Sequence, residues 1–71
     1  MIEYNRDKAI IAIGGNQFEL ALISAERARQ LRNGSEPKIQ TEQSADITAL
    51  IEVQEGLYTK KDYISDLQKR K

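Results

Sequence analysis

Between Phe18 and Leu31 the chain carries apolar side chains on too much of one helix. On a wheel advancing about 100° per residue, with Phe18 at zero, Leu20, Leu31, Ala28, Ala21, Ala25 and Leu22 sweep about 200°. A surface helix of a single domain needs a stripe of about 100°. A chain of 71 residues has too little mass to cover both sides of such a helix. The pattern therefore predicts a helix that packs on its own domain with one side and on a second molecule with another.

Size sharpens that argument. Seventy-one residues make one domain, read here as 1–71. A chain this short buries only about 60% of the surface its unfolded form exposes, and its core alone rarely supplies more than about 3–5 kcal/mol. Small domains make up the deficit with disulfides, metal or association. Cysteine and histidine are both missing from the sequence. That removes disulfides, thiolate metal sites, the commonest metal ligand and the commonest general base. A protein partner is the support that remains. Eleven basic residues balance eleven acidic ones, against the basic face of an independent nucleic-acid binder. The start, Met1-Ile2-Glu3-Tyr4-Asn5, lacks the pattern of a signal peptide. The longest apolar run, Ala9 to Ile13, is far shorter than the roughly 20 residues of a membrane span. A cytoplasmic protein is the expectation.

The chain is punctuated as four helices with no strand-like alternation of useful length. Asn5 can cap a first helix over about Arg6–Ile13, with Asp7 in its first turn and Gly14-Gly15 as its stop. Asn16 and Glu19 have capping-box spacing and open a second helix that runs to Arg32, before Asn33-Gly34. Ser35 to Gln43 is a polar linker with the only proline, Pro37. Ser44 can cap a third helix over about 45–56, with Leu50, Val53 and Leu57 as its apolar seam and Thr48, Glu52 and Glu55 on the opposite side. Thr59 and Asp62 form a second capping-box pattern for a fourth helix of about 60–70 carrying Tyr63, Ile64 and Leu67. Asp66 and Arg70 are placed there for a favourable i,i+4 pair. The expected architecture is an all-α bundle of about four short helices, completed by packing on a larger partner. Its second and third helices pair through Phe18, Leu22, Ala25, Leu50, Val53 and Leu57.

Candidate chemistry is sparse. Glu52 and Glu55 could form an acid–base pair, but three residues apart on a helix face they read as solvated charges. Asp62 and Asp66 are too few to hold a metal. Gly14-Gly15-Asn16 before a helix could cradle a phosphate, but no Lys-Ser or Lys-Thr follows it and no strand precedes it. Arg27, Arg29 and Arg32 point about 180°, 20° and 320° from Phe18, so they form no single basic stripe. Arg29 and Arg32 lie inside the apolar arc, where their stems can pack while the guanidinium groups either reach solvent or pair with a partner's carboxylates. Lys69-Arg70-Lys71 reads as a helix end complementing its dipole.

Phe18-x-Leu-x-Leu22, then Ala25-x-Arg27-Ala28-Arg29-Gln30-Leu31, a short linker with a proline, and Ala49-Leu50-x-Glu52-x-x-Glu55-Gly56-Leu57 resemble the omega subunit family of bacterial DNA-directed RNA polymerase. The resemblance covers roughly residues 5–58. It implies a non-catalytic accessory subunit without a cofactor. Such a subunit binds beta-prime, and through it the rest of the core enzyme, aiding folding, assembly and stability during transcription. The family's core motif positions fall on Arg27, Ala28, Arg29, Gln30, Leu31, Ala49, Leu50, Glu52, Glu55 and Gly56. With Phe18 and Leu22 of the apolar arc they make up the expected partner-binding set. Some members begin Met-Ala-Arg and help form a guanosine tetraphosphate site. Glu3 here would repel phosphates, so that site is not carried over.

A reading from another class is a stand-alone helix-turn-helix regulator or antitoxin, with Gly14-Gly15 as the turn and 17–32 as the recognition helix. Such a helix shows polar and basic side chains to the DNA groove, whereas this one is heavily apolar.

Overall fold

Four helices follow one another along the chain in a computed structural model that describes residues 3–69. They are α1 (Arg6–Ile13), α2 (Gln17–Arg32), α3 (Ala45–Gln54) and α4 (Lys60–Gln68). No strand occurs among the described residues, as the sequence leads one to expect. Each helix begins where a short polar side chain meets its free N–H groups. The side-chain oxygens of Asn5, Asn16, Ser44 and Thr59 accept from Lys8, from Phe18 and Glu19, from Ile47 and from Asp62 respectively. Only Thr59 and Asp62 complete a reciprocal capping box. Glu19 instead sends its carboxylate to Lys60 Nζ, 2.5 Å away at the head of α4.

The first three helices stop in the same way. A left-handed glycine stands at each end: Gly14 (φ 66°) is the cap of α1, and Gly34 (φ 101°) and Gly56 (φ 76°) follow the caps Asn33 and Glu55. The next N–H then folds back: Gly15 donates to Ile10, Ser35 to Gln30 and Leu57 to Glu52. This satisfies carbonyls that a helix end leaves bare. The motif ends α3 at Gln54, two residues short of the expected 56, and α4 closes at Gln68 rather than about 70. Arg70, the expected partner of Asp66, lies outside the described residues, as do Met1, Ile2 and Lys71.

Packing centres on α3, which lies against α2 and α1, while α4 rests on α2. Ala9 and Ile13 of α1, Leu20 and Ile23 of α2, Val53 of α3 and Tyr58 beyond it form the core cluster. The molecule measures 36 × 27 × 15 Å. In so thin a plate α2 is covered on one side only. Helices α2 and α3 do pair as expected, but largely through other residues. Phe18, Leu22 and Ala25 are exposed, Leu57 is on the surface, Leu50 is half-buried, and only Val53 of the expected set lies deep. The cause is the rotation of α2. Its inward side is centred near Arg27, about 180° from Phe18, and brings in Ile23, which lies outside the apolar arc. A second expectation also fails. Thr48 and Glu52 are buried rather than solvated, because each finds a polar partner inside: Thr48 at the Gln43 carbonyl and Glu52 at Arg27.

Candidate functional site

Beneath the outer face of α2 lies a buried polar hub. Arg27 Nε donates to Glu52 Oε1 at 2.6 Å, joining α2 to α3 with both side chains almost wholly buried. The remaining polar atoms reach outward in order. Arg27 donates to the side-chain oxygen of Gln30 at 3.1 Å and to the Glu36 carbonyl at 3.0 Å. Glu52 Oε2 accepts from the Lys38 backbone N–H at 3.0 Å. The ion pair thus grips the linker by its backbone on either side of Pro37. Tyr58 packs beside it, its ring centroid 5.5 Å from the Arg27 guanidinium and 5.9 Å from Lys38 Nζ. Lys38 Nζ also donates to the Leu57 carbonyl at 2.7 Å, just beyond the end of α3.

The hub continues to α4. Tyr58 Oη donates to Asp66 at 2.8 Å, and the Gln30 amide donates to the same carboxylate oxygen at 2.7 Å. Burial pushes the Tyr58 phenol far above its ordinary range, and the hydrogen bond to Asp66 adds to the shift. Burial opposes ionisation of Asp66 as well, but the hydrogen bonds from Tyr58 and Gln30, with Lys69 and Arg27 nearby, hold its carboxyl below the usual value. Among the described residues no buried side-chain nitrogen or oxygen lacks a hydrogen-bond partner. The hub is therefore complete in itself and aims no free group at a ligand. Glu52 has both oxygens committed, which removes it as a general acid or base. Asp62 is committed to the cap of α4.

The outer face of α2 is the opposite kind of surface. Phe18 is 74% exposed and Leu22 58%, with Ala21 and Ala25 exposed between them. Leu22 and Ala25 run into a shallow groove against Tyr63 and Leu67 of α4, edged by Glu26, Arg29 and Arg32. Arg29 pairs with Glu26 at 2.9 Å and Arg32 with Asp46 at 2.7 Å.

The residues expected to bind a partner thus divide. Phe18, Leu22 and Arg29 share the outer face. Arg27, Gln30 and Glu52 meet in the hub and serve the fold. Ala28 and Ala49 are buried on the two helices that pack together, and Leu31 and Leu50 are half-buried. Glu55 is on the surface, where hydrogen bonds from Gln54 and Lys8 hold its carboxyl below the usual range. Gly56 supplies the left-handed turn after α3. Sequence reasoning missed Tyr58, the centre of the aromatic and polar contacts. The available signal was an aromatic residue placed two positions after a helix-stopping glycine.

Comparison with known proteins places these features. The family model described as RNA polymerase Rpb6 matches residues 9–59, nearly the span of the omega resemblance. The omega subunit of DNA-directed RNA polymerase from Photorhabdus laumondii is 43% identical over 58 residues, covering 79% of this chain and 62% of that protein. The omega subunit from Aliivibrio fischeri is 46% identical over 48 residues, covering 65% of this chain and 53% of that protein. The chain thus spans rather more than half the length of these relatives. With the matched segment running from the middle of α1 through the Arg27–Glu52 pair to Tyr58, the chain belongs to the RNA polymerase Rpb6 family, beside the omega subunits of bacteria.

Proposed function

We propose that this chain acts in the cytoplasm as a non-catalytic, omega-type accessory subunit of a DNA-directed RNA polymerase. It seats on the beta-prime subunit and aids its folding, assembly and stability. The observation that carries this reading is the outer face of α2, where Phe18 and Leu22 stand exposed on a domain whose interior is otherwise satisfied. An apolar face of this kind on a small protein marks an interaction surface. A partner that binds only the folded, assembled state stabilises that state by mass action. The regulator reading loses its support. The outer face of α2 is apolar, and its two outward arginines are already paired with Glu26 and Asp46.

The same reading assigns no alarmone site to residues 1–5. Glu3 is exposed and acidic. The Glu3 carbonyl accepts from Gln54, and the Asn5 N–H donates to the same side chain. Glu3 and Asn5 are thereby tied to α3, and Met1 and Ile2 lie outside the described residues.

Co-purification tests the assignment. The tagged chain, expressed in cells with its polymerase, is expected to retain the large polymerase subunits, identified by mass spectrometry. Leu22→Asp is expected to lower retention by about tenfold or more, since a carboxylate buried without a partner costs several kcal/mol. Lys61→Glu, a change at an exposed residue of α4, is expected to leave it unchanged. Equal retention of all three chains would remove the α2 face from the interface.

A further inference from the structure

Helix α4 is attached differently from the others. It contains no buried residue, and α2 is its one substantial helical neighbour. Of its apolar side chains, Tyr63 packs partly on the core, whereas Ile64 and Leu67 keep 48% and 40% of their surface in solvent. What holds it is polar. Asp66 receives Tyr58 Oη at 2.8 Å and the Gln30 amide at 2.7 Å, and Lys60 reaches Glu19 at 2.5 Å. Tyr58 itself is buried in the core, and Thr59 immediately opens α4 with its own capping box. The helix therefore keeps its own start signal wherever it lies, and one half of its latch stays with the core when it moves.

We infer that α4 is a hinged flap, latched by Asp66 onto the Tyr58 hydroxyl and the Gln30 amide, which opens while α1–α3 remain folded. The hinge is the Tyr58–Thr59 junction. Opening separates Leu67 and Tyr63 from Leu22 and Ala25, which together line the groove between α2 and α4. The open state thus has a wider apolar α2 face than the closed one. Local opening of this kind is governed by how little apolar area the segment buries, and α4 buries the least. The flap is a property of the chain alone, so its test needs no polymerase.

The experiment is hydrogen exchange by mass spectrometry on the full chain, in an excluded osmolyte that favours the folded state. Peptides from 60–68 are expected to exchange about tenfold or more faster than peptides from 45–54, as for a segment opening below the global free energy. Asp66→Ala is expected to speed α4 exchange by a further tenfold or so and to leave α4 the faster segment, because the lost bonds destabilise the closed state against the open and the unfolded state alike. Tyr58→Phe, which keeps the buried ring and removes the hydroxyl, is expected to speed α4 exchange in the same way. Equal protection of α3 and α4 would overturn the inference. So would unchanged α4 exchange in Asp66→Ala, or the absence of protection in every helix.

Discussion

Arg27 and Glu52 are the pair on which the interior depends. Two desolvated charges at 2.6 Å are tolerated because every remaining polar atom around them is engaged. Replacing both with apolar side chains can be neutral, but removing one leaves a buried charge alone, at a cost of about 3–5 kcal/mol. Glu52→Ala is therefore expected to consume most of the stability of so small a domain, read as a collapse of the cooperative urea transition. Arg27→Met with Glu52→Leu is expected to recover a measurable part of it. Tyr58 and Asp66 set the pH range. Asp66 is held below its unfolded value of about 3.9, so its contribution is complete above that pH and is lost as pH falls through the lower folded value. Tyr58 is shifted the other way. Its contribution is complete below about pH 10 and is lost as pH rises further, since the folded state keeps a proton that the unfolded state releases. The groups facing this pair are Gln30, Arg27, Arg29, Glu26, Lys38 and Lys69. Tyr58→Phe is expected to cost about 1.5–3 kcal/mol at neutral pH through the lost bond to a charged acceptor. It should also flatten the alkaline limb of the stability profile. An unchanged alkaline limb would assign that limb to other groups.

At the scale of the elements, the caps and glycines fix the chain's segmentation. Gly56 carries a φ of 76° and delivers Tyr58 into the core four residues after the end of α3. Any other residue there meets the left-handed penalty of about 1–2 kcal/mol. Gly56→Ala is thus expected to lower the unfolding free energy by that amount, read as a lower urea midpoint with an unchanged slope. These punctuation marks were legible in the sequence because they act through neighbours. Asn5, Asn16, Ser44 and Thr59 each bond within three residues. The orientation of α2 was not legible, and the reason is physical. Its buried side carries Ser24, Glu26 and Arg27 beside Leu20 and Ile23, whereas its outer side carries Phe18 and Leu22. Polarity therefore misreports which side faces inward. Only tertiary partners make Arg27 an inner residue, and one of them, Glu52, lies on a helix 25 positions away. The wide apolar arc did announce a surplus face, but it could not say which part of the arc was the surplus. The family motif has the same limit. It gathers Arg27, Gln30 and Glu52, which hold the fold, with Arg29, which lies on the surface.

For the molecule as a whole, stability and association are two views of one deficit. A plate 15 Å thick has a single small core, and about 3–5 kcal/mol is what such a core supplies. The sequence has no cysteine to staple it, and it leaves Phe18 in water at the start of its longest helix. Covering that face is expected to raise stability by linkage, by about 2.7 kcal/mol when free partner stands at 100 times its dissociation constant. For a domain of this size each kcal/mol is worth about 4–8 °C. Purified large polymerase subunit is therefore expected to raise the melting temperature of the chain by roughly 10–20 °C, followed through a probe placed on the small chain. Phe18→Asp separates the two roles of α2. The side chain is already exposed, so the isolated variant is expected to melt within about 0.5 kcal/mol of the parent, as surface changes do, yet to gain little from the partner. Ile23→Asp, on the inward side of the same helix, is expected to unfold the isolated chain. If Phe18→Asp gained as much from the partner as the parent, the outer face of α2 would not be the surface the polymerase covers.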